Sequence, residues 1–146
     1  MMVVPCIIVQ NMFGSAGEMQ YFNLIDQILG DDTGKADATT GFKIINRILA
    51  TGVDFSMVYS ELSEHLRNLM VGLSSSNAYE FIHLSEEGKK HLRGQLKKIT
   101  RRGGLEAIVE SITKLNQASI AMSHNLSPET ALQTWFLQSV FIFRKY

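Results

Sequence analysis

Apolar residues recur at intervals of three and four along most of this chain, the spacing of one buried helix face. Ser15-Ala16-Gly17-Glu18 has the capping-box pattern, with Ser15 as N-cap and Glu18 at the third helical position. Tyr21, Phe22, Leu24, Ile25, Ile28 and Leu29 follow at helical spacing. Gly30 supplies a stop, and Asp31 to Gly34 read as a turn. A second helix is predicted over 36–51 on Ile44, Ile45, Ile48 and Leu49, with Gly52 as its terminal glycine. Gly41 inside it costs up to about 1 kcal/mol against alanine. The third helix opens at Asp54 and runs to 73, with Phe55, Val58, Leu62, Leu66, Leu69 and Leu73 on one face. Residues 74–77 form a loop, and 78–84 are a short apolar piece of either type. Ser85 caps a fourth helix to about Thr100, striped by Leu92, Leu96 and Ile99. A fifth is expected from Leu105 to about His124, with Ile108, Ile112, Leu115, Ser119 and Met122 on its face. Ser127-Pro128-Glu129 then sets a cap, a first-turn proline and a first-turn acid for a sixth helix running close to the C-terminus.

The pattern predicts an all-α fold: a single bundle of about five to six helices over residues 14–146, joined by short loops. Residues 1–13 read as an N-terminal arm or a cloning boundary. The last helix stands out, because TALQTWFLQSVFIF, residues 130–143, carries no charge. A helix apolar on nearly all sides is buried on nearly all sides. It is either a central core helix or a core helix that also offers a face to a partner subunit, where Trp and Phe are favoured anchors.

Composition narrows the function. The 146 residues are 45% apolar, enough for a sizeable core, and 14 basic residues balance 14 acidic ones. A single cysteine, Cys6, excludes an internal disulfide framework and a multi-cysteine zinc site. The charges are segregated: residues 1–72 carry 8 acids and 4 bases, residues 73–102 carry 3 and 7, and the remainder 3 and 3. On the fourth helix Lys90, Arg93, Lys97 and Arg101 align opposite the apolar stripe. That face is solvated, or pairs with the acidic first half, or meets phosphates. No aromatic residue interleaves with it in sequence to stack on bases.

Candidate chemistry is sparse. Gly30-Asp31-Asp32-Thr33-Gly34-Lys35-Ala36 falls short of a phosphate-binding loop in glycine spacing, in the residue after Lys35 and in following a helix rather than a strand. His65, His83, His91 and His124 lack the i, i+4 pairing of a helical metal site and are expected at surface or cap positions. The pairs Glu61/Glu64 and Glu106/Glu110 fall beside the apolar stripes, on solvated faces. No catalytic, cofactor-binding or metal-ligating residue is assigned, and the chain is expected to be non-catalytic. Residues 1–9 are apolar but too short to span a bilayer, so a cytoplasmic protein without a membrane or small-molecule partner is expected.

Phe22-Asn23-Leu24-Ile25-Asp26-Gln27-Ile28-Leu29, Ile44-Ile45-Asn46-Arg47-Ile48-Leu49, Gly52-Val53-Asp54-Phe55 and Leu62 through Met70, LSEHLRNLM, together resemble the third domain of the bacterial DNA polymerase III gamma/tau subunit. Leu126-Ser127-Pro128 before an apolar terminal helix is similar to that family's last segment, so the resemblance spans residues 14–142. It implies an oligomerisation, or collar, domain of the replicative clamp loader, without the ATPase module that precedes this domain in the family. The implied partners are other clamp-loader subunits (gamma/tau copies, delta and delta-prime), with DNA engaged only indirectly. On that reading Trp135, Phe136 and Val140 are the candidate subunit-contact residues. Arg67 is a candidate rim charge, or else an intradomain partner of Glu64 or Glu61. The alternative is a helical nucleic-acid-binding domain using the basic 89–102 face, with Lys90, Arg93, Lys97 and Arg101 on phosphates.

Overall fold

The computed structural model describes residues 18–31 and 33–145. The predicted N-terminal arm and Ser15 of the capping box lie outside the described residues. Six α-helices account for most of the rest: α1 (18–29), α2 (Ala38–Ala50), α3 (Phe55–Ser74), α4 (Glu86–Thr100), α5 (Gly104–Ser123) and α6 (Pro128–Arg144). A single 3₁₀ turn, Ala78–Glu80, occupies the segment that the pattern left undetermined and carries Ala78 and then Ile82 into the core. The described residues contain no strand, so the chain is the all-α bundle expected.

Local chemistry places most of the helix starts. The side chains of Asp37, Ser85 and Ser127 accept the backbone N–H of Thr40, Gly88 and Thr130, at 3.0, 2.9 and 3.2 Å. Each satisfies one of the orphan donors of a first turn, worth about 1 kcal/mol. Asp37 moves the start of α2 two residues later than the periodicity suggests. Asp54 holds the N-cap position of α3 as expected, but its carboxylate accepts from the Ser56 hydroxyl instead of a backbone amide. Gly30 ends α1 with φ +81°, and a Cβ there would lie 2.4 Å from the Lys35 carbonyl oxygen, so no other residue fits this turn.

Among α2 to α6, helices α5 and α6 form the most extensive contact; α6 also lies on α2, while α3 packs on both α4 and α5. Small residues are buried on both α5 and α6: Ala107, Ser111 and Ala118 on α5, and Ala131 and Ser139 on α6. The Ser111 and Ser139 hydroxyls meet at 2.8 Å between the two helices. This rotates the buried face of α5 from the predicted Ile112–Ser119–Met122 line, which is only partly covered, toward Ala107, Ser111 and Ala118.

Gly41 acquires its reason here. The Phe136 ring of α6 occupies the place where a Cβ on Gly41 would sit, with ring carbons at 2.3 to 2.9 Å from it. The propensity cost of a mid-helix glycine is therefore what lets α2 seat on α6. At the other side of the bundle, cations from the end of α4 cover the carbonyl end of α1. Arg102 donates to the Leu29 carbonyl and, at 3.1 Å, to that of Gly34, while Lys98 donates to Gly30 at 3.3 Å. Positive groups at a helix C-terminus are favoured by its dipole.

Candidate functional site

Helix α6, which carries no charge from residue 130 to 143, has two faces of different character. Trp135 and Phe136 are 0% exposed and Val140 6%, so all three proposed contact residues are turned into the core of their own chain. The Trp135 indole N–H donates to the Ser111 carbonyl at 3.2 Å, locking the ring against α5. One turn on, Leu137 is 37% and Phe141 58% exposed. With Thr134 they line the outward side of α6, and Arg144 lies over the Phe141 ring at 5.6 Å. The surface that α6 can offer to another molecule is therefore made by Leu137 and Phe141, with Trp135, Phe136 and Val140 as the layer beneath. Arg67, on α3, is engaged within the chain: its guanidinium lies 3.4 Å from Glu64 and donates at 3.5 Å to the Phe81 carbonyl.

Four polar side chains, two of them at core registers, join α1, α3 and α4. Gln95 is buried in line with Leu92 and Ile99. Its amide N–H₂ donates to the Phe22 carbonyl and to Asp26 Oδ1, both at 2.8 Å. With both amide hydrogens used, its Oε1 is the acceptor for His65 Nε2 at 3.1 Å. His65 must then carry its proton on Nε2. Asp26 Oδ2 in turn accepts from His91 Nε2 at 2.8 Å. Phe22 fills the space between the two imidazoles, edge-on to His65 at 4.4 Å and stacked on His91 at 4.6 Å.

His65 thus corrects the expectation of surface or cap histidines: it is core, His91 is half-buried, and only His83 and His124 are exposed. Burial is the main cause that lowers the His65 pKa from 6.5 to about 4, with the neighbouring His91 adding to it; the Gln95 hydrogen bond and Asp26 pull the other way. In the unfolded chain the ring takes a proton near pH 6.5 and in the fold only near pH 4, so the unfolded state binds more protons between those values. Stability is then fully present above pH 6.5 and falls with pH through that window, by about 1.4 kcal/mol per unit and roughly 3 kcal/mol in all. An NMR titration of the imidazole C2–H resonances is expected to give one histidine a midpoint near pH 4. All four midpoints between 6 and 7 would contradict the buried network.

Elsewhere Glu18 Oε2 accepts from the Ser85 hydroxyl at 3.3 Å while its Oε1 is buried without a partner. Asp31 Oδ1 accepts the backbone N–H groups of Thr33 and Lys35 at 2.9 and 3.1 Å. The Thr33 hydroxyl is the first cause holding the Asp31 carboxyl below the usual carboxylate range. A carboxylate of the loop itself thus fills the amides that a phosphate would need, and the segment is the helix–helix turn expected. Burial raises the Tyr21 phenol above its ordinary range, and the neighbouring Glu61 carboxylate raises it further. Among the described residues no group of three or more His, Cys, Asp or Glu side chains is placed to hold a metal ion, and no helix is long and apolar enough to cross a membrane.

The basic face forms as the periodicity predicts: Lys90, Arg93, Lys97 and Arg101 are all exposed on one side of α4. What the linear pattern missed is an aromatic beside it, because Tyr79 from the 3₁₀ turn lies against the Arg93 guanidinium at 5.5 Å. Gln95 and His65 were missed for a related reason. Each stands at a core register, Gln95 three residues after Leu92 and His65 three after Leu62, and a polar residue in such a register is the signal that finds them.

The family model described as DNA polymerase III subunits gamma and tau domain III matches residues 6–103 of this sequence. No curated protein and no solved structure matches it. Among the described residues the matched segment contains α1 to α4 and with them the whole His65–Gln95–Asp26–His91 network, while α5 and α6 lie beyond it.

Proposed function

Because the chain belongs to the family of domain III of the DNA polymerase III gamma and tau subunits, a clamp-loader component of the replication machinery, we propose that it is a non-catalytic assembly domain. In this reading it packs against other clamp-loader subunits, among them gamma/tau copies, delta and delta-prime, and forms part of their helical collar. ATP hydrolysis and clamp opening belong to other modules. The observation that carries the proposal is the outward face of α6. Leu137 and Phe141 stand exposed one turn apart on a helix whose opposite side is completely buried and which has no charge from residue 130 to 143. An aromatic and a leucine on a rigid helix are suited to a subunit contact, since the backbone that carries them needs no ordering on association.

Arg67 takes the intradomain role in this reading, paired with Glu64. The test is light scattering on a sizing column, with the chain alone and then mixed with clamp-loader subunits from its own source. The L137D/F141D variant is expected to weaken association at least 30-fold, the loss of about 2 kcal/mol or more typical of a central anchor. Its far-UV circular dichroism should be unchanged, because both positions are exposed. Assembly of that variant at wild-type concentrations would overturn the reading.

A further inference from the structure

Seven cations lie between residues 89 and 102, and the fold uses three of them. Lys89 pairs with Glu86 at 3.5 Å, Lys98 donates to the Gly30 carbonyl, and Arg102 donates to Leu29 and Gly34. The other four, Lys90, Arg93, Lys97 and Arg101, are exposed and have no anionic partner among the described residues. At 1.5 Å per residue they form a line about 16 Å long on α4. No acidic residue occurs in sequence between Gly88 and Leu105, and the nearest carboxylates, Asp26, Asp31, Asp37 and Glu87, line the cavity beside Lys90 and Gly94. The helix dipole accounts for cations in the last turn, but not for Lys90 and Arg93 further back.

Two other features lie with this line. Gly94 sits mid-helix on the same face, exposed, and a Cβ there would meet nothing within 4 Å. Packing gives it no reason, although alanine would favour the helix by about 1 kcal/mol. Its effect is to lower the relief between Arg93 and Lys97, so that a chain can approach the helix backbone. Tyr79 then places a part-exposed aromatic ring beside Arg93, and Phe81, two residues on, is exposed as well. Cations in a row with an aromatic platform at their edge are the features that engage an unpaired nucleic-acid strand, the phosphates electrostatically and a base by stacking.

We propose that the Lys90–Arg93–Lys97–Arg101 face of α4, with Gly94 and Tyr79, binds the phosphate backbone of a single nucleic-acid strand. This surface is separate from the α6 face: α4 packs on α3 and α5, whereas α6 packs on α5 and α2. The two readings therefore fail separately. L137D/F141D should lose assembly and keep strand binding, and α4 variants should do the reverse.

The experiment is fluorescence anisotropy of labelled dT20 with the full chain between 50 and 200 mM salt. With four phosphate contacts the logarithm of affinity falls against that of salt with a slope near −2.8, about 50-fold over this range. K90Q/R93Q/K97Q is expected to reduce the slope by about 2 and to weaken binding at least tenfold at 50 mM salt. Y79L should weaken binding about fivefold or more with the slope unchanged, and G94L should weaken it while raising the melting temperature. K43Q/R47Q, which removes two exposed cations from α2, should leave binding unchanged. Absence of binding at 50 mM salt would overturn the proposal, as would equal losses in the α2 and α4 variants. So would an α4 triple variant that binds dT20 normally but no longer joins clamp-loader subunits, which would make this face a protein contact.

Discussion

Replacing Trp135 with alanine is expected to cost about 4 kcal/mol of folding stability, whatever it does to assembly. The ring is the largest fully buried side chain, and truncating such a group loses its transfer energy and leaves a cavity that neighbours only partly fill. Ser111 and Ser139, the small residues beside it, are hydrogen-bonded to each other across the α5–α6 contact and have little bulk to move into the space. With an m-value of about 2 kcal/mol/M, the urea midpoint should fall by roughly 2 M. Far-UV circular dichroism is the probe, because Trp135 is the chain's single tryptophan. A W135A protein that kept its midpoint but lost its partners would put the ring at a subunit surface and contradict the packing. The contrast with L137D/F141D is informative: the same helix should give an unstable, core-deficient protein from one face and a stable, assembly-deficient one from the other.

The second large effect is expected at Gln95. Leucine at this position has nearly the right volume and would extend the apolar stripe of α4, so pattern alone predicts a neutral or stabilising change. The network predicts a loss of about 3 kcal/mol, because the buried His65 Nε2–H loses its acceptor and Asp26 loses a donor. Adding H65L removes the orphaned donor. The double variant should therefore be less destabilised than the sum of the single variants, with a coupling of at least about 1 kcal/mol in a double-mutant cycle of urea midpoints. Strict additivity would mean that the two side chains do not share a hydrogen bond. Q95L, placed on α4 but beneath its surface, should leave the salt dependence of dT20 binding unaltered, which separates the network from the basic face outside it.

The residue pattern determined a good deal by itself. Six periodic segments, the caps at Ser85 and Ser127, the terminal glycines 30 and 52, and the solvated line Lys90–Arg93–Lys97–Arg101 all stand where the periodicity puts them. These features depend on interactions within a turn or two of chain: a side-chain oxygen reaching an amide three residues on, a glycine relieving a positive φ, residues three and four apart sharing a face. The family was legible for the same reason, since its resemblance rests on the order and spacing of such segments in the first three helices and on Leu126-Ser127-Pro128 before the last.

Only the tertiary structure decided which side of α6 is core and which is free, because a helix apolar all round contains no internal signal of direction. The close seat of α2 on α6 selected Phe136 for the space over Gly41, and the small-residue contact between α5 and α6 turned Trp135 inward. That left Leu137 and Phe141 as the outward pair. The structure likewise decided that His65 is interior and neutral, since its acceptor comes from Gln95, thirty residues away. It also brought Tyr79 to the basic line across a turn that periodicity could not assign. In each case the deciding contact joins residues remote in sequence, where burial and hydrogen-bond satisfaction outweigh local preference.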